Sequence, residues 1–216
     1  VSHVLLERTG HLSDTIFKYQ RRKHVMATPD ILPLRCDVGF AEGSRETVLE
    51  TWDDAIAKAS ANVRLNAEVV GIKGQRGDFT ITLADRVTLR ARHVVLAIGL
   101  QGNLRKLTVP GAELPFVQYQ LDERLQAMLR TAPKRIEPGW MTVETAEGEA
   151  RIRCDRVIAR LGALPPRKFV ESCGVVFGSD SPSAFPVVSD HYESNVPGLY
   201  IIGALAGYPL IKQCLN

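Results

Sequence analysis

Val196-Pro-Gly-Leu-Tyr-Ile-Ile-Gly-Ala-Leu-Ala-Gly-Tyr-Pro-Leu-Ile-Lys-Gln-Cys-Leu-Asn216 is the stretch on which the fold turns. Its first three residues read as a turn, and Leu199 to Ile202 as a short apolar strand. The strand runs directly into Gly203-Ala204, and a helix is expected to start near Pro209 or Leu210. A glycine at the strand end lets a ligand approach the backbone. The helix N-terminus behind it offers unpaired N–H groups and a partial positive charge. That combination suits a nucleotide-like ligand, but many α/β proteins carry such a turn, so the reading depends on the rest of the chain.

Two other segments agree with it. Arg92-His-Val-Val-Leu-Ala-Ile-Gly99 contains the continuous apolar run Val94 to Ile98, the pattern of a strand buried on both faces. His93 opens that strand as a structural residue, and a second turn follows at Val109-Pro-Gly-Ala-Glu113. His3-Val-Leu-Leu-Glu-Arg-Thr-Gly-His11 reads as a short apolar strand that ends on the acidic Glu7. Together the three segments resemble the FAD-dependent pyridine nucleotide-disulfide oxidoreductase superfamily, the two-dinucleotide-domain flavoproteins that include thioredoxin reductase.

The resemblance implies an α/β fold, an FAD/NAD(P)-binding Rossmann-like (three-layer ββα) domain with a parallel sheet and a β-meander. It implies that Glu7 binds the adenosine ribose, that the strand ending in Ala97-Ile98-Gly99 crosses between domains, and that Gly203-Ala204 holds the ribityl chain. Two positions depart from the family pattern. Ile98 stands in place of a threonine and Ala204 in place of an aspartate, so binding at the last turn would rest on backbone groups. The long segment Gly10 to Arg35 would wrap the pyrophosphate and flavin edge, with Ser13, Asp14 and Thr15 as polar contacts and Lys18 or Lys23 neutralising phosphate. Asp14 reads equally well as a cap of its own turn. Val69 would read adenine through its main chain, or is an ordinary strand valine. Leu210, at the start of the last helix, with Lys212 and Gln213, would stabilise negative charge on the flavin ring.

An internal repeat supports two related domains. Thr80-Ile-Thr-Leu-Ala-Asp-Arg-Val-Thr-Leu-Arg-Ala-Arg-His-Val-Val-Leu-Ala-Ile-Gly99 can be laid over Thr142-Val-Glu-Thr-Ala-Glu-Gly-Glu-Ala-Arg-Ile-Arg-Cys-Asp-Arg-Val-Ile-Ala-Arg-Leu-Gly162. Each copy reads as strand, polar turn, strand, short apolar strand, glycine. Phe79, Ile81 and Leu83, then Val87, Leu89 and Ala91, alternate as in a half-buried hairpin.

No Gly-x-Gly-x-x-Gly occurs in the sequence. With Glu7 as the ribose acid, that fingerprint belongs roughly twenty residues upstream. Between Gly111 and Thr142 there is little room beyond one βαβ unit, which takes about thirty residues by itself. The chain is therefore expected to be part of a longer protein, with the second nucleotide domain largely missing. Residues 1–115 are read as the first part of the FAD-binding domain, 116–165 as a remnant of the inserted NAD(P)-binding domain, and 166–216 as the C-terminal part of the first. Leu121 to Ile136 reads as a helix that stops and restarts at Ala132-Pro133.

At 216 residues and 45% hydrophobic content the chain can bury a core of one or two domains. A net charge of +3 gives no case for nucleic acid, and the cluster Arg21-Arg22-Lys23-His24 reads as a solvated loop or, alternatively, a phosphate contact. No apolar run approaches a membrane span. Cys36, Cys154, Cys173 and Cys214 are scattered, which suits a reducing cytoplasm and leaves no Cys-x-x-Cys pair. Cys154 and Cys173 read as packing residues; Cys214, placed at the start of the last helix where a thiolate would be stabilised, reads as a small core residue or, alternatively, as a reactive thiol. The five histidines show no metal-ligand spacing, and no metal site is expected. Ser44 caps an amphipathic helix over Arg45 to Ala61, with Val48, Leu49, Trp52, Ala55, Ile56 and Ala59 on its apolar face.

The function expected is transfer of hydride from NAD(P)H to FAD and of electrons to a disulfide or other small-molecule or protein acceptor, by a cytoplasmic homodimer. The alternative is a catalytically inactive flavin-binding regulatory or structural module, favoured by Ala204, by Arg160 within the second repeat and by the missing cysteine pair. Relatives of this type also occur fused to cyclic-nucleotide-binding or ferredoxin modules.

Overall fold

The computed structural model describes residues 2–28, 32–34, 36–100, 103–119, 131–159 and 161–214. In chain order the elements are β1 (Leu5–Leu6), α1 (Asp14–Phe17), β2 (His24–Val25), β3 (Gly43–Ser44), α2 (Arg45–Lys58), β4 (Val63–Arg64), β5 (Val69–Gln75), β6 (Asp78–Leu83), β7 (Thr88–Ala91) and β8 (Val94–Leu96). Then follow β9 (Val117–Gln118), β10 (Ala132–Glu137), β11 (Trp140–Thr145), β12 (Gly148–Arg153), β13 (Val157–Ile158), α3 (Arg167–Ser172), β14 (Leu199–Ile201), a 3-10 turn Gly203–Ala206 and α4 (Ile211–Cys214). They form two compact units, Val1–Leu100 with Pro165–Asn216, and Gln101–Leu164.

In the first unit, Ser44 ends β3 in an extended conformation and accepts a hydrogen bond from Thr47 N at 3.1 Å, so α2 starts where its cap is available. Val48 is buried at 3% exposure and Leu49 and Trp52 pack beside it, against Ile16, Val25 and Phe40. The predicted hairpin alternation holds in the meander β5–β6–β7 for Phe79, Ile81, Leu83, Leu89 and Ala91, whereas Val87 precedes β7 and is exposed. Phe79, Ile81 and Leu83 are buried at 6% exposure or less and join Ile72, Leu96, Leu199, Ile201 and Leu205 in the main core. Burying side chains of this size stabilises the fold by roughly 1.5–3 kcal/mol each.

β8 and β14 lie parallel, with Leu199 opposite Val94 and Ile201 opposite Leu96. Only one face of β8 is buried. Val95 and Ile98 are 56% and 49% exposed and His93 is exposed, against the expectation of a strand covered on both sides. β1 pairs in parallel with β4, and Leu6 reaches the main core.

The turn that launches β14 is anchored from outside. Leu199 N donates to Val196 O at 3.0 Å, and Gly198 at φ +82° takes the third position that a type II turn gives to glycine. Arg76, at the end of the first meander strand, donates its N–H to Pro197 O at 2.7 Å. A Cβ on Gly198 would stand 2.8 Å from Arg76 Cα.

The second unit repeats this plan. The meander β10–β11–β12 is followed by β13, parallel to β9, and the segment closes on Gly162 as the first closes on Gly99. Val109-Pro110-Gly111 is a second such turn: Ala112 N donates to Val109 O at 3.1 Å, Gly111 has φ +86°, and Ile136 N of β10 donates to Pro110 O at 2.9 Å. A Cβ on Gly111 would overlap the Ile136 carbonyl oxygen. Ala132–Glu137 is thus a strand and not a restarted helix, because its residues are held by pairing with β11 on one side and this turn at its end. Residues 121–130 and Arg160 lie outside the described residues.

Candidate functional site

The C-terminal ends of β8 and β14 deliver two of the expected ligand segments side by side. Ile202 N donates to Leu96 O at 3.1 Å, extending the pairing by one residue, so Ala97-Ile98-Gly99 and Gly203-Ala204 leave adjacent strands in the same direction. Ala97 and Ile98 are exposed, whereas Gly99, Gly203 and Ala204 are half-buried. Leu205, with no exposed surface, anchors the 3-10 turn in the core.

What approaches Gly203 is the chain's own Cys214. Gly203 has φ +69°, and a Cβ there would lie 3.4 Å from Cys214 Sγ. Cys214 Sγ donates to Tyr208 O at 3.0 Å, and Tyr208 N donates to Gly203 O at 3.2 Å. The expected helix is a single turn, Ile211–Cys214, with Cys214 at its end and not its start. Burial pushes the Cys214 thiol up, and a hydrogen bond from the Ala204 backbone offsets this only in part. The expected thiolate is therefore not stabilised. Leu210 is 42% exposed, and its N–H donates to Gln213 Oε1 at 3.3 Å, which folds Gln213 back on the turn. Lys212 is half-buried on α4.

Glu7 stands at the end of β1, half-buried, and its Oε1 accepts from Thr9 N at 2.8 Å with the Thr9 hydroxyl 3.0 Å away. Ala67 N donates to Glu7 O at 2.8 Å, which brings the segment leading into Val69 beside it. Val69 opens β5 opposite Leu83 and packs on the main core. Thr15 is exposed on α1, next to the buried Ile16. Ile16 and Ile211 pack on one cluster, so α1 and α4 share a support.

Among the described residues the Asp14 side chain caps no turn. It binds His11 Nε2 at 2.9 Å and Lys18 Nζ at 2.6 Å, which occupies Lys18. Partial burial alone raises the Asp14 pKa, but the bonds from Lys18 and His11 outweigh it and hold the carboxyl below its usual range. Lys23 lies over the Tyr19 ring, 4.1 Å from its centroid. Cys173 is buried and Cys154 half-buried, and burial raises both thiols.

Two features went unread in the sequence. Glu193 Oε1 accepts from Gly198 N at 2.6 Å and from Arg76, clamping the launching turn to the meander, a contact across a long sequence separation. Trp52 was read only as part of an apolar face, yet its Nε1 is buried with no hydrogen-bond partner among the described residues. The available signal was its chemistry, since tryptophan brings a donor that an aliphatic residue at that position would not.

The family model described as flavin containing amine oxidoreductase matches residues 13–132, more than half of the chain. The chain belongs to that family. Among solved structures it is similar to bacillithiol disulfide reductase from Staphylococcus aureus, with TM-score 0.82 and 18% identity over 98% of this chain and 86% of that one. It is similar to thioredoxin reductase from Lactococcus lactis, with TM-score 0.75 and 14% identity over 98% and 86%. Thioredoxin reductase from T. acidophilum gives TM-score 0.64 and 18% identity over 85% and 80%. The thioredoxin reductase-like α/β fold read from the sequence is thereby established, and the family is a flavin-containing one. No curated protein matches the chain. Among the described residues no helix is long and apolar enough to cross a membrane.

Proposed function

We propose that the protein is an FAD-dependent oxidoreductase that takes hydride from NAD(P)H and passes electrons to a disulfide or another small-molecule or protein acceptor. One observation carries this reading: the parallel pair β8–β14 presents Ala97-Ile98-Gly99 and Gly203-Ala204 together at its C-terminal ends. That is where open α/β sheets bind nucleotide ligands. Membership of a flavin-containing family supports it, and the names of the structural neighbours supply the disulfide class.

The residues present fit the cofactor. Glu7 offers a carboxylate at a strand end for a ribose hydroxyl, and the Val69 main chain, two residues past the Ala67 that bonds Glu7, would serve adenine. Thr15 offers a hydroxyl for the pyrophosphate. The exposed residues Ala97 and Ile98, with Gly99, Gly203 and Ala204, would line the ribityl side, and Leu210, Lys212 and Gln213 the ring side. When bound, the flavin supplies the redox chemistry, and the protein supplies orientation and electrostatic tuning. We assign residues 1–115 and 166–216 to FAD binding and 116–165 to the NAD(P) part, and place the protein in the cytoplasm as a homodimer.

A second reading, a flavin-binding module without turnover, is favoured by two specific features. Ala204 offers no side-chain acceptor, and Cys214 covers the face of Gly203. Reconstitution with FAD tests the common part: a yellow protein with a bound-flavin spectrum is expected, and one that takes up no FAD overturns both readings. Stopped-flow mixing with NADH and NADPH then separates them. Flavin bleaching is expected, and its absence with both nucleotides leaves the module.

A further inference from the structure

We propose that Tyr192 is a positioning residue for the candidate flavin site: its ring holds Tyr208 and, through Tyr208, keeps the Gly203 turn and α4 in one arrangement. Tyr192 has φ +61°. A bulky aromatic residue in the left-handed region is an outlier that costs conformational energy, and such strain gathers at functional sites. The local turn does not need a tyrosine, because its bonds run through the backbone and Ser189. Tyr192 N donates to Ser189 O at 2.9 Å, and Tyr192 O accepts from Ile201 N of β14 at 2.9 Å. Ser189 Oγ accepts from His191 N at 3.3 Å and from Glu193 N at 3.2 Å. Glycine or asparagine would keep all of these with less strain. What the tyrosine adds is its ring.

That ring meets Tyr208 edge to face, with centroids 5.8 Å apart and planes at 72°. A hydrogen bond between the two phenols holds the Tyr208 proton and raises its pKa. Tyr208 is where the turn and the last helix are tied together. Its N–H donates to Gly203 O at 3.2 Å, and its carbonyl accepts from Cys214 Sγ at 3.0 Å. Gly207, immediately before it, is left-handed at φ +93° and has no side chain to fix the direction in which Tyr208 leaves the turn. Tyr192 supplies that restraint from the neighbouring loop. Gly203 and Ala204 lie before this knot, and Leu210, Lys212 and Gln213 lie after it. These are the ribityl-side and ring-side groups of the FAD reading, on which the inference rests. Fixing their relation before the cofactor arrives removes an ordering cost from binding.

The test measures FAD affinity and FAD-free melting for Tyr192→Gly, Tyr192→Phe, Tyr208→Leu and the double variant Tyr192→Gly/Tyr208→Leu. In Tyr192→Gly, relief of strain offsets the lost ring contact, so the FAD-free melting temperature is expected to stay near wild type. FAD affinity is expected to fall about 3- to 10-fold. Tyr192→Phe keeps the ring and is expected to retain most of the affinity. The double variant is expected to lose no more than Tyr192→Gly alone, because both substitutions remove one contact. Wild-type affinity in Tyr192→Gly overturns the proposal, and so does a Tyr192→Phe protein as weak as Tyr192→Gly. Additive losses in the double variant overturn it too, as does a loss matched by a lowered FAD-free melting temperature, which marks a folding role. Wild-type protein that takes up no FAD fails the functional reading itself and overturns this proposal with it; variants that bind as well as an FAD-binding wild type overturn the proposal alone.

Discussion

The two β-meanders share an order of strands and differ in what holds them. In the first unit, β5–β6–β7 turns Ile72, Phe79, Ile81 and Leu83 into a core shared with β8, α3, β14 and the Gly203 turn, and none of these four exceeds 6% exposure. In the second unit, β10–β11–β12 buries Ile136 and Val143, and its outward face carries ion pairs instead. Lys134 bridges Glu144 and Glu149 at 2.6 Å and 2.5 Å, and Arg151 lies over Trp140, 4.8 Å from its ring centroid. Exposed pairs of that kind contribute about 0–1 kcal/mol each. The same backbone plan is therefore stabilised by apolar burial in one unit and by strand pairing with a thin core in the other.

The difference is broken most directly by truncating the cores. Phe79→Ala is expected to cost about 3–5 kcal/mol in urea unfolding, through lost transfer energy and an unfilled cavity. Val143→Ala is expected to cost about 1–3 kcal/mol. Equal losses would mean that the second core is as important to stability as the first.

Next in size are the glycines of the two Val-Pro-Gly turns. Gly198→Ala and Gly111→Ala each force a left-handed residue, which costs roughly 1–2 kcal/mol, and each adds overlap with the meander backbone. Melting followed by far-UV circular dichroism should show a lowered Tm for both. A Gly111→Ala protein that melts normally would show that the close approach to Ile136 relaxes freely.

A smaller effect is expected from acid. The N–H of Gly198 first, and then Arg76, hold the Glu193 carboxyl below its usual range. A depressed carboxylate contributes stability that is present above the unfolded value, roughly 4.3, and is lost as pH falls through the lower folded value. Glu193→Gln should thus be less stable at neutral pH and flatter with pH on the acid side. Glu149, depressed by Lys134 but more exposed, should show a weaker form that disappears in about 1 M salt. Equal, salt-insensitive profiles for the two glutamates would contradict the contrast drawn between the units.

The smallest expected change is at the last turn. Ala204→Asp supplies one ribityl acceptor and should raise FAD affinity by about 0.5–1.5 kcal/mol, read by flavin fluorescence titration. A weaker affinity would mean that the added charge is buried unpaired.

The strand-turn logic of the fold was legible because it depends on local pattern. The alternation at Phe79, Ile81 and Leu83, the Ser44 cap and the two Val-Pro-Gly turns each constrain the backbone without help from distant residues. β8 misled because a run of apolar residues records composition and not coverage, and Val95 faces outward despite it. The last helix misled for a related reason: Pro209 signalled its start, but nothing local revealed that Cys214 would fold back over Gly203. The Arg76–Glu193 clamp spans the two ends of its unit, and the unpaired Trp52 nitrogen is defined by what surrounds it. Neither leaves a mark at any sequence spacing.

The twin turn contacts also set a clock on local motion. The amide protons of Arg76 and Ile136 are each held by a proline carbonyl from a turn distant in sequence. Neither can exchange with solvent deuterium until that turn lifts away from its meander. Their protection factors therefore report, separately for each unit, the free energy of undocking a strand-launching turn while the sheet behind it remains intact. For Arg76 that opening frees the start of β14, and with it the register that sets Ile201 opposite Leu96 just before Gly203.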